Sequence, residues 1–158
     1  MGRDVEIPMS LPLDNDGFLR RECPHCVDQF KWHHGPANAE AEQQPSPTTY
    51  YCPLCGQPAG PDSWWTREQI DYAGGLMAPV AARMAEQELK ATLKQARSKY
   101  VKVDLRGSVD TPETPSPLVE PDDMVIVTSP CHSYEPVKVP DDTSGPYHCL
   151  VCGQAFAV

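Results

Sequence analysis

Eighteen prolines in a chain of 158 residues, against only three tryptophans and three phenylalanines, leave little material for one broad apolar core. That balance suits small metal-stapled units joined by loops. A net charge of −9 excludes a general polyanion binder, whose footprint must be positive, and no run of about 18 apolar residues is present to span a membrane.

Val5-Glu6-Ile7 reads as a strand, and Pro8 places it at an edge. Asp14-Asn15-Asp16-Gly17 is a turn signal, predicting a hairpin between Leu11–Leu13 and Phe18–Arg21. This hairpin delivers Cys23-Pro24-His25-Cys26, and Gln29–Trp32 returns as a short strand. Residues 35–48, rich in Ala, Glu, Gln and Pro, read as a mobile loop with solvated His33 and His34 at its mouth. Thr49–Tyr51 is a strand ending in Cys52-Pro53-Leu54-Cys55-Gly56. In this phrase Pro pre-sets the turn, Gly closes it at positive φ, and two thiolates are brought onto one metal.

A helix begins after Thr66, where Gln69 completes a capping box and Trp65 with Ile70 forms a hydrophobic staple. Gly74-Gly75 and Pro79 are expected to break or kink it. Beyond them Ala81, Ala85, Leu89, Leu93, Ala96 and Tyr100 form an apolar stripe, widened by Leu76, Met77, Val80 and Met84. Tyr100–Leu105 alternates as a strand, 107–123 reads as a flexible loop, and Met124–Thr128 leads into Cys131. Pro136–Val139 returns, and Tyr147-His148 precede the last knuckle, Cys149-Leu150-Val151-Cys152-Gly153.

Written as elements, the two ends repeat one another: strand to cysteine, short strand containing lysine, strand to knuckle. The paired Cys-x-x-Cys phrases resemble the zinc-ribbon (zinc-knuckle, rubredoxin-like) superfamily. That resemblance implies an α+β chain of two small β-rich zinc ribbons, over 1–62 and 100–158, joined by an amphipathic helical linker over 63–99. Rubredoxin carries Gly after each Cys pair, whereas Val27 follows Cys26 here. Seven cysteines, an odd number, do not close as disulfides, so reduced thiolates in a cytoplasmic protein are expected. The first residues also lack the apolar stretch of a secretion signal.

Cys23, Cys26, Cys52 and Cys55 supply the four sulfurs of a closed structural Zn2+ site. At the second site Tyr134 stands where the partner of Cys131 would be. Cys131, Cys149 and Cys152 then need a fourth ligand. His132, in the turn itself, is the assignment; Glu135, His148 and an open position are the alternatives.

Three zinc ligands with a glutamate nearby raise the question of a base deaminase, but the Cys131–Glu135 order differs from that motif and no βαβ scaffold is present. Nor is there a metalloprotease, phosphate-loop or dinucleotide motif, so no enzymatic activity is expected. The reading is a zinc-binding adaptor that contacts another protein, with a helix face that also suits a second copy of the chain. The alternative is a nucleic-acid-binding, transcription-associated protein using Lys90, Lys94, Arg97, Lys99, Lys102 and Arg106. No aromatic residues alternate with these bases as stacking platforms would.

Overall fold

The computed structural model describes residues 6–96 and 111–158. Its fold is α+β, with small sheets and one long helix. Asp14 sets the first turn: its carboxylate accepts the N–H groups of Asp16 and Phe18, both at 3.0 Å, and Gly17 completes the reversal at φ +84°. Strand β1 (Phe18–Glu22) follows and pairs antiparallel with β2 (Gln29–His33) across the first cysteine turn. The hairpin expected between 11–13 and β1 is not formed, and residues 6–13 are irregular. Pro8 and Pro12 have no N–H to give a ladder, while β2 offers β1 a register of full length. Val5 lies outside the described residues.

Within 35–48, read from composition as a mobile loop, stands one helical turn, α1 (Ala39–Glu42). Asn38 caps it by accepting the Ala41 N–H at 2.9 Å, and Ala41 is buried. Next comes β3 (Tyr50–Tyr51), paired with β4 (Pro58–Ala59).

The C-terminal half repeats this plan. Strands β5 (Met124–Val127) and β6 (Val137–Pro140) pair antiparallel across a second cysteine turn, and β7 (Tyr147–His148) pairs with β8 (Ala155–Phe156). Strand β6 also pairs with β2, placing Lys31 opposite Lys138 and Trp32 opposite Val137. The sheet order β1-β2-β6-β5 reads the same from either edge when β1 is matched with β5 and β2 with β6. The two halves, expected as separate ribbons over 1–62 and 100–158, therefore share a sheet and a core. Phe30, Trp64 and Cys52 from one half meet Val127, Val137, Val139, Tyr147 and Leu150 from the other. A two-stranded hairpin cannot cover its own apolar face, so each half supplies the other's missing layer.

The shared sheet also buries two lysines, Lys31 and Lys138, exposed by 0% and 1%. Asp14 Oδ2 accepts from both, at 3.2 Å and 2.8 Å. Lys138 reaches Asp16 and Asp122 as well, and Lys31 reaches Glu120, Asp123 and the Pro121 carbonyl. Arg20 pairs with the same Glu120 and Asp123. Burial alone would raise the Asp14 pKa, but the hydrogen bonds from Lys138, Phe18, Lys31 and Asp16 hold it far below the usual carboxylate range. The loop expected to be flexible over 107–123 is consequently tied down at 120–123. Residues 111–119 have no regular structure, and 107–110 lie outside the described residues. Two buried ammonium groups demand counter-charge, and this acidic run provides it.

Packing divides the chain into two units, one of 11–69 with 118–158 and the other of 1–10 with 70–117. The first contains the strands above. The second takes most of α2 (Arg67–Ala96). The capping box forms as expected: the Gln69 N–H donates to Thr66 Oγ1 at 3.0 Å, and the Thr66 N–H donates to Gln69 Oε1 at 3.1 Å. Of the break or kink expected there, no break occurs: α2 runs unbroken through Gly74, Gly75 and Pro79. Pro79 removes a single N–H, whose acceptor would be the Gly75 carbonyl, and the flanking turns keep theirs. Along α2, Met77, Met84 and Leu89 are exposed. The strand expected over 100–105 lies outside the described residues.

Candidate metal centres

Three of the cysteine turns share one backbone design. In each, the amide four residues after the leading cysteine bonds back to its carbonyl: Val27 to Cys23 at 3.0 Å, Gly56 to Cys52 at 2.8 Å, Gly153 to Cys149 at 2.8 Å. The leading cysteine's own N–H donates five residues on, to Asp28, Gln57 and Gln154. The residue closing each turn is left-handed: φ is +77° at Gly56 and Gly153, and +66° at Val27. The first turn thus keeps the shared conformation even though its sequence lacks the glycine, and a β-branched residue carries a cost of about 1–2 kcal/mol.

These turns point sulfurs inward in pairs. Cys23 Sγ lies 3.6 Å from Cys55 Sγ, and Cys26 Sγ lies 3.8 Å from Cys52 Sγ; all four fall within 4.8 Å of one another. A tetrahedral zinc with Zn–S bonds of about 2.3 Å sets its sulfurs about 3.8 Å apart, so the set fits that ion. Backbone amides of His25 and Cys26 donate to Cys23 Sγ at 3.3 Å and 3.4 Å, and those of Leu54 and Cys55 to Cys52 Sγ at 3.4 Å and 3.5 Å. Burial opposes ionisation of Cys23, yet these amides and the Cys55 thiol outweigh it and lower its pKa. Cys26 is pushed up to about 11 and Cys52 higher still, by burial and by the neighbouring sulfurs. Ionisation is thus eased at Cys23 and opposed at Cys26 and Cys52, which is the electrostatic condition a multivalent cation relieves.

The second cluster comprises Cys131, His132, Cys149 and Cys152, also within 4.8 Å of one another. Cys131 Sγ is 3.6 Å from Cys152 Sγ, and His132 Nδ1 is 3.4 Å from Cys149 Sγ. Burial opposes ionisation of Cys149, but the Ser129 hydroxyl, 3.3 Å away, and the amides of Cys152 and Val151 bring its pKa down to about 7. Cys152 is pushed up to about 11 by desolvation and by the sulfurs beside it.

Ser129 escapes a search for cysteine pairs. Ser129-Pro130-Cys131-His132 is Cys23-Pro24-His25-Cys26 with serine in place of the leading cysteine and the cysteine and histidine exchanged. The hydrogen bonding agrees. The His132 N–H donates to Ser129 Oγ at 3.3 Å, as the Cys26 N–H donates to Cys23 Sγ at 3.4 Å. Ser129 is buried where the first cluster has a ligand. The proline, common to both phrases, is the sequence signal that aligns them.

Neither alternative fourth ligand joins this cluster. The His148 ring lies against Gly56 of the other half, where an added Cβ would stand 2.8 Å from Nδ1. The contact is reciprocal: Tyr51, the residue preceding Cys52, lies against Gly153, where a Cβ would stand 2.6 Å from its ring. Amides cross in the same sense, Tyr51 to the Leu150 carbonyl and His148 to that of Pro53, both at 2.9 Å. Glu135 lines a cleft with Tyr134, and burial raises its pKa. His33 packs edge-on to Phe18 at 5.3 Å and bonds the Gly35 carbonyl through Nδ1; neither it nor His34 belongs to either cluster. Of the basic residues considered for nucleic acid, Lys90 pairs with Glu86 at 2.9 Å and Lys94 is exposed, while Arg97, Lys99, Lys102 and Arg106 lie outside the described residues. No helix among the described residues is long and apolar enough to cross a membrane. No protein-family model, curated protein or solved structure matches the chain.

Proposed function

We propose that the two clusters are structural Zn2+ sites of zinc-ribbon type, and that the unit they staple is a non-enzymatic adaptor presenting surfaces to a partner protein. The observation that carries this reading is the completeness of both donor sets, four sulfurs in one and three sulfurs with an imidazole nitrogen in the other. Soft donors of this kind select zinc over hard cations, and four protein ligands leave no open position for a reactive zinc-bound water. The unit's apolar core is small, so metal binding free energy becomes folding free energy. The exposed Met77, Met84 and Leu89 on α2 extend the reading to a second copy of the chain as one of the contacts.

Elemental analysis of purified protein tests the metal directly: two zinc per chain are expected, and no zinc, or iron in its place, overturns the reading. Removal of the metal by a chelator should abolish the sheet signal in circular dichroism and restore it on zinc addition. Pull-down from native lysate after nuclease treatment tests the adaptor role. Partners lost with nuclease, together with steeply salt-dependent oligonucleotide binding that charge reversal at Lys94 and Arg97 abolishes, would instead establish the nucleic-acid reading.

A further inference from the structure

The unit that holds both clusters carries a cleft of about 840 Å3, within the range of small-molecule and side-chain binding sites. Tyr50, Tyr134 and Trp32 contribute its aromatic wall, Glu42 and Glu135 its carboxylates, and His33 is the only base among its lining residues. Glu135 is partly buried, and among the described residues no lysine or arginine pairs with it. Asp14 and Glu120, by contrast, are held by Lys138, Lys31 and Arg20. Glu135 lines the cleft together with Tyr50 and Tyr134, and its own amide donates to the His132 carbonyl at 3.1 Å. The aromatic cluster already holds one cation: the Arg21 guanidinium lies over Trp32 at 4.7 Å. Acids and bases balance in the helical unit, so the whole net charge of −9 falls on the unit with the cleft.

We propose that this cleft receives a cationic side chain, a lysine or arginine presented by a segment of a partner protein, seated against Tyr50 and Tyr134 with its charge on Glu135. The inference rests on the reading of this unit as an interaction module and specifies the chemistry it recognises. A partly desolvated carboxylate without a counter-ion gains most from an incoming cation, and tyrosine faces add a cation–π contribution that an acidic or neutral side chain cannot obtain. Long-range attraction of a basic segment by the acidic unit assists the encounter.

The test is a titration of the intact, zinc-loaded protein with short capped alanine peptides carrying one central lysine, arginine, norleucine or glutamate, followed by NMR. Lysine and arginine peptides should saturably shift the Trp32 indole and the amides of Tyr50, Tyr134 and Glu135, and the norleucine and glutamate peptides should not. Glu135→Gln should weaken the lysine peptide by about fivefold or more, with zinc content unchanged. Equal binding of norleucine, no binding of either cationic peptide, or full affinity in Glu135→Gln would overturn the proposal. Zinc measured on the same sample separates the two readings. Two zinc ions without peptide binding removes the cation site alone, whereas lysine binding by zinc-free protein retains it and removes the structural-zinc reading.

Discussion

The two clusters are built on one repeated plan and differ in depth. Cys23 and Cys52, exposed by 1% and 0%, belong to the core with Phe30 and Trp64, so the first cluster lies inside the packing that holds the sheet. Cys131 and Cys152 are exposed, and only Cys149 of the second cluster is buried. The first joins the β1–β2 turn to the β3–β4 turn through four sulfurs; the second joins the equivalent turns through three sulfurs and an imidazole, with Ser129 left in the vacated ligand position. Equivalent backbone turns therefore tolerate different donors at the surface, where solvent compensates a changed charge. A substitution at the buried cluster leaves a polar group in the core.

The sharpest way to break this comparison is to remove one ligand from each cluster. Cys52→Ser should release the first metal and unfold the sheet, because structural zinc supplies on the order of 10 kcal/mol to small folds. Cys152→Ser should release the second metal and leave the sheet signal in circular dichroism largely intact. Equal unfolding by both would show that depth does not set the dependence.

The buried charges that join the halves come next. Asp14→Asn strips Lys31 and Lys138 of their shared acceptor and should cost about 3–5 kcal/mol in urea unfolding. The sign of the pH effect follows from the depressed Asp14 pKa. Its contribution is fully present above the unfolded carboxylate value and is lost as pH falls below about 5 toward the folded value. Wild-type stability should decline through that acid range, and Asp14→Asn should decline less. Parallel curves would remove Asp14 from the account.

Gly153→Ala and Gly56→Ala test the reciprocal contacts between the halves. Each combines a left-handed backbone with a clash, against Tyr51 or His148, and should cost about 2–4 kcal/mol by thermal or urea unfolding. A neutral effect at either would mean that the crossing is not tightly packed.

Donor exchange sharpens the repeat itself. His132→Ala should weaken the second zinc by about 10–100-fold in a competition titration with a chelating dye, and adding Ser129→Cys should restore it. The rescue requires residue 129 to stand where Cys23 stands in the other half; failure of rescue with an intact sheet would refute the equivalence. The smallest effect is expected at Val27→Gly, which relieves a β-branched residue at positive φ and should stabilise the first turn by about 0.5–1 kcal/mol, read in the chevron or melting midpoint.

Local chemistry was legible in the sequence. Thr66 and Gln69 announce their capping box because both partners lie within one turn. The Cys-x-x-Cys phrases announce their turns because Pro fixes φ inside two of them and Gly permits the positive φ that closes two of them. The strands flanking the cysteines were readable in type, and the order of elements betrayed the repeat. Misreadings arose where a distant partner decided the outcome. Leu11–Leu13 has strand character, but β1 found β2. Residues 120–123 look like loop until two buried lysines, one from each half, require their carboxylates. Pro79 differs from these: a local breaker, it is carried by the flanking turns of a continuous helix.

By itself, then, the sequence determined the α+β character, the cysteine turns and the separation of a helix from two β-rich ends, all consequences of interactions within a few residues. Only the tertiary structure decided that β2 pairs with β6, that His148 faces Gly56, and that Glu135 borders a cleft with no lysine or arginine paired to it among the described residues. These depend on contacts between residues about a hundred positions apart in the chain. A hairpin's exposed face and a buried charge can be satisfied by any complementary partner, and nothing local specifies which one it will be.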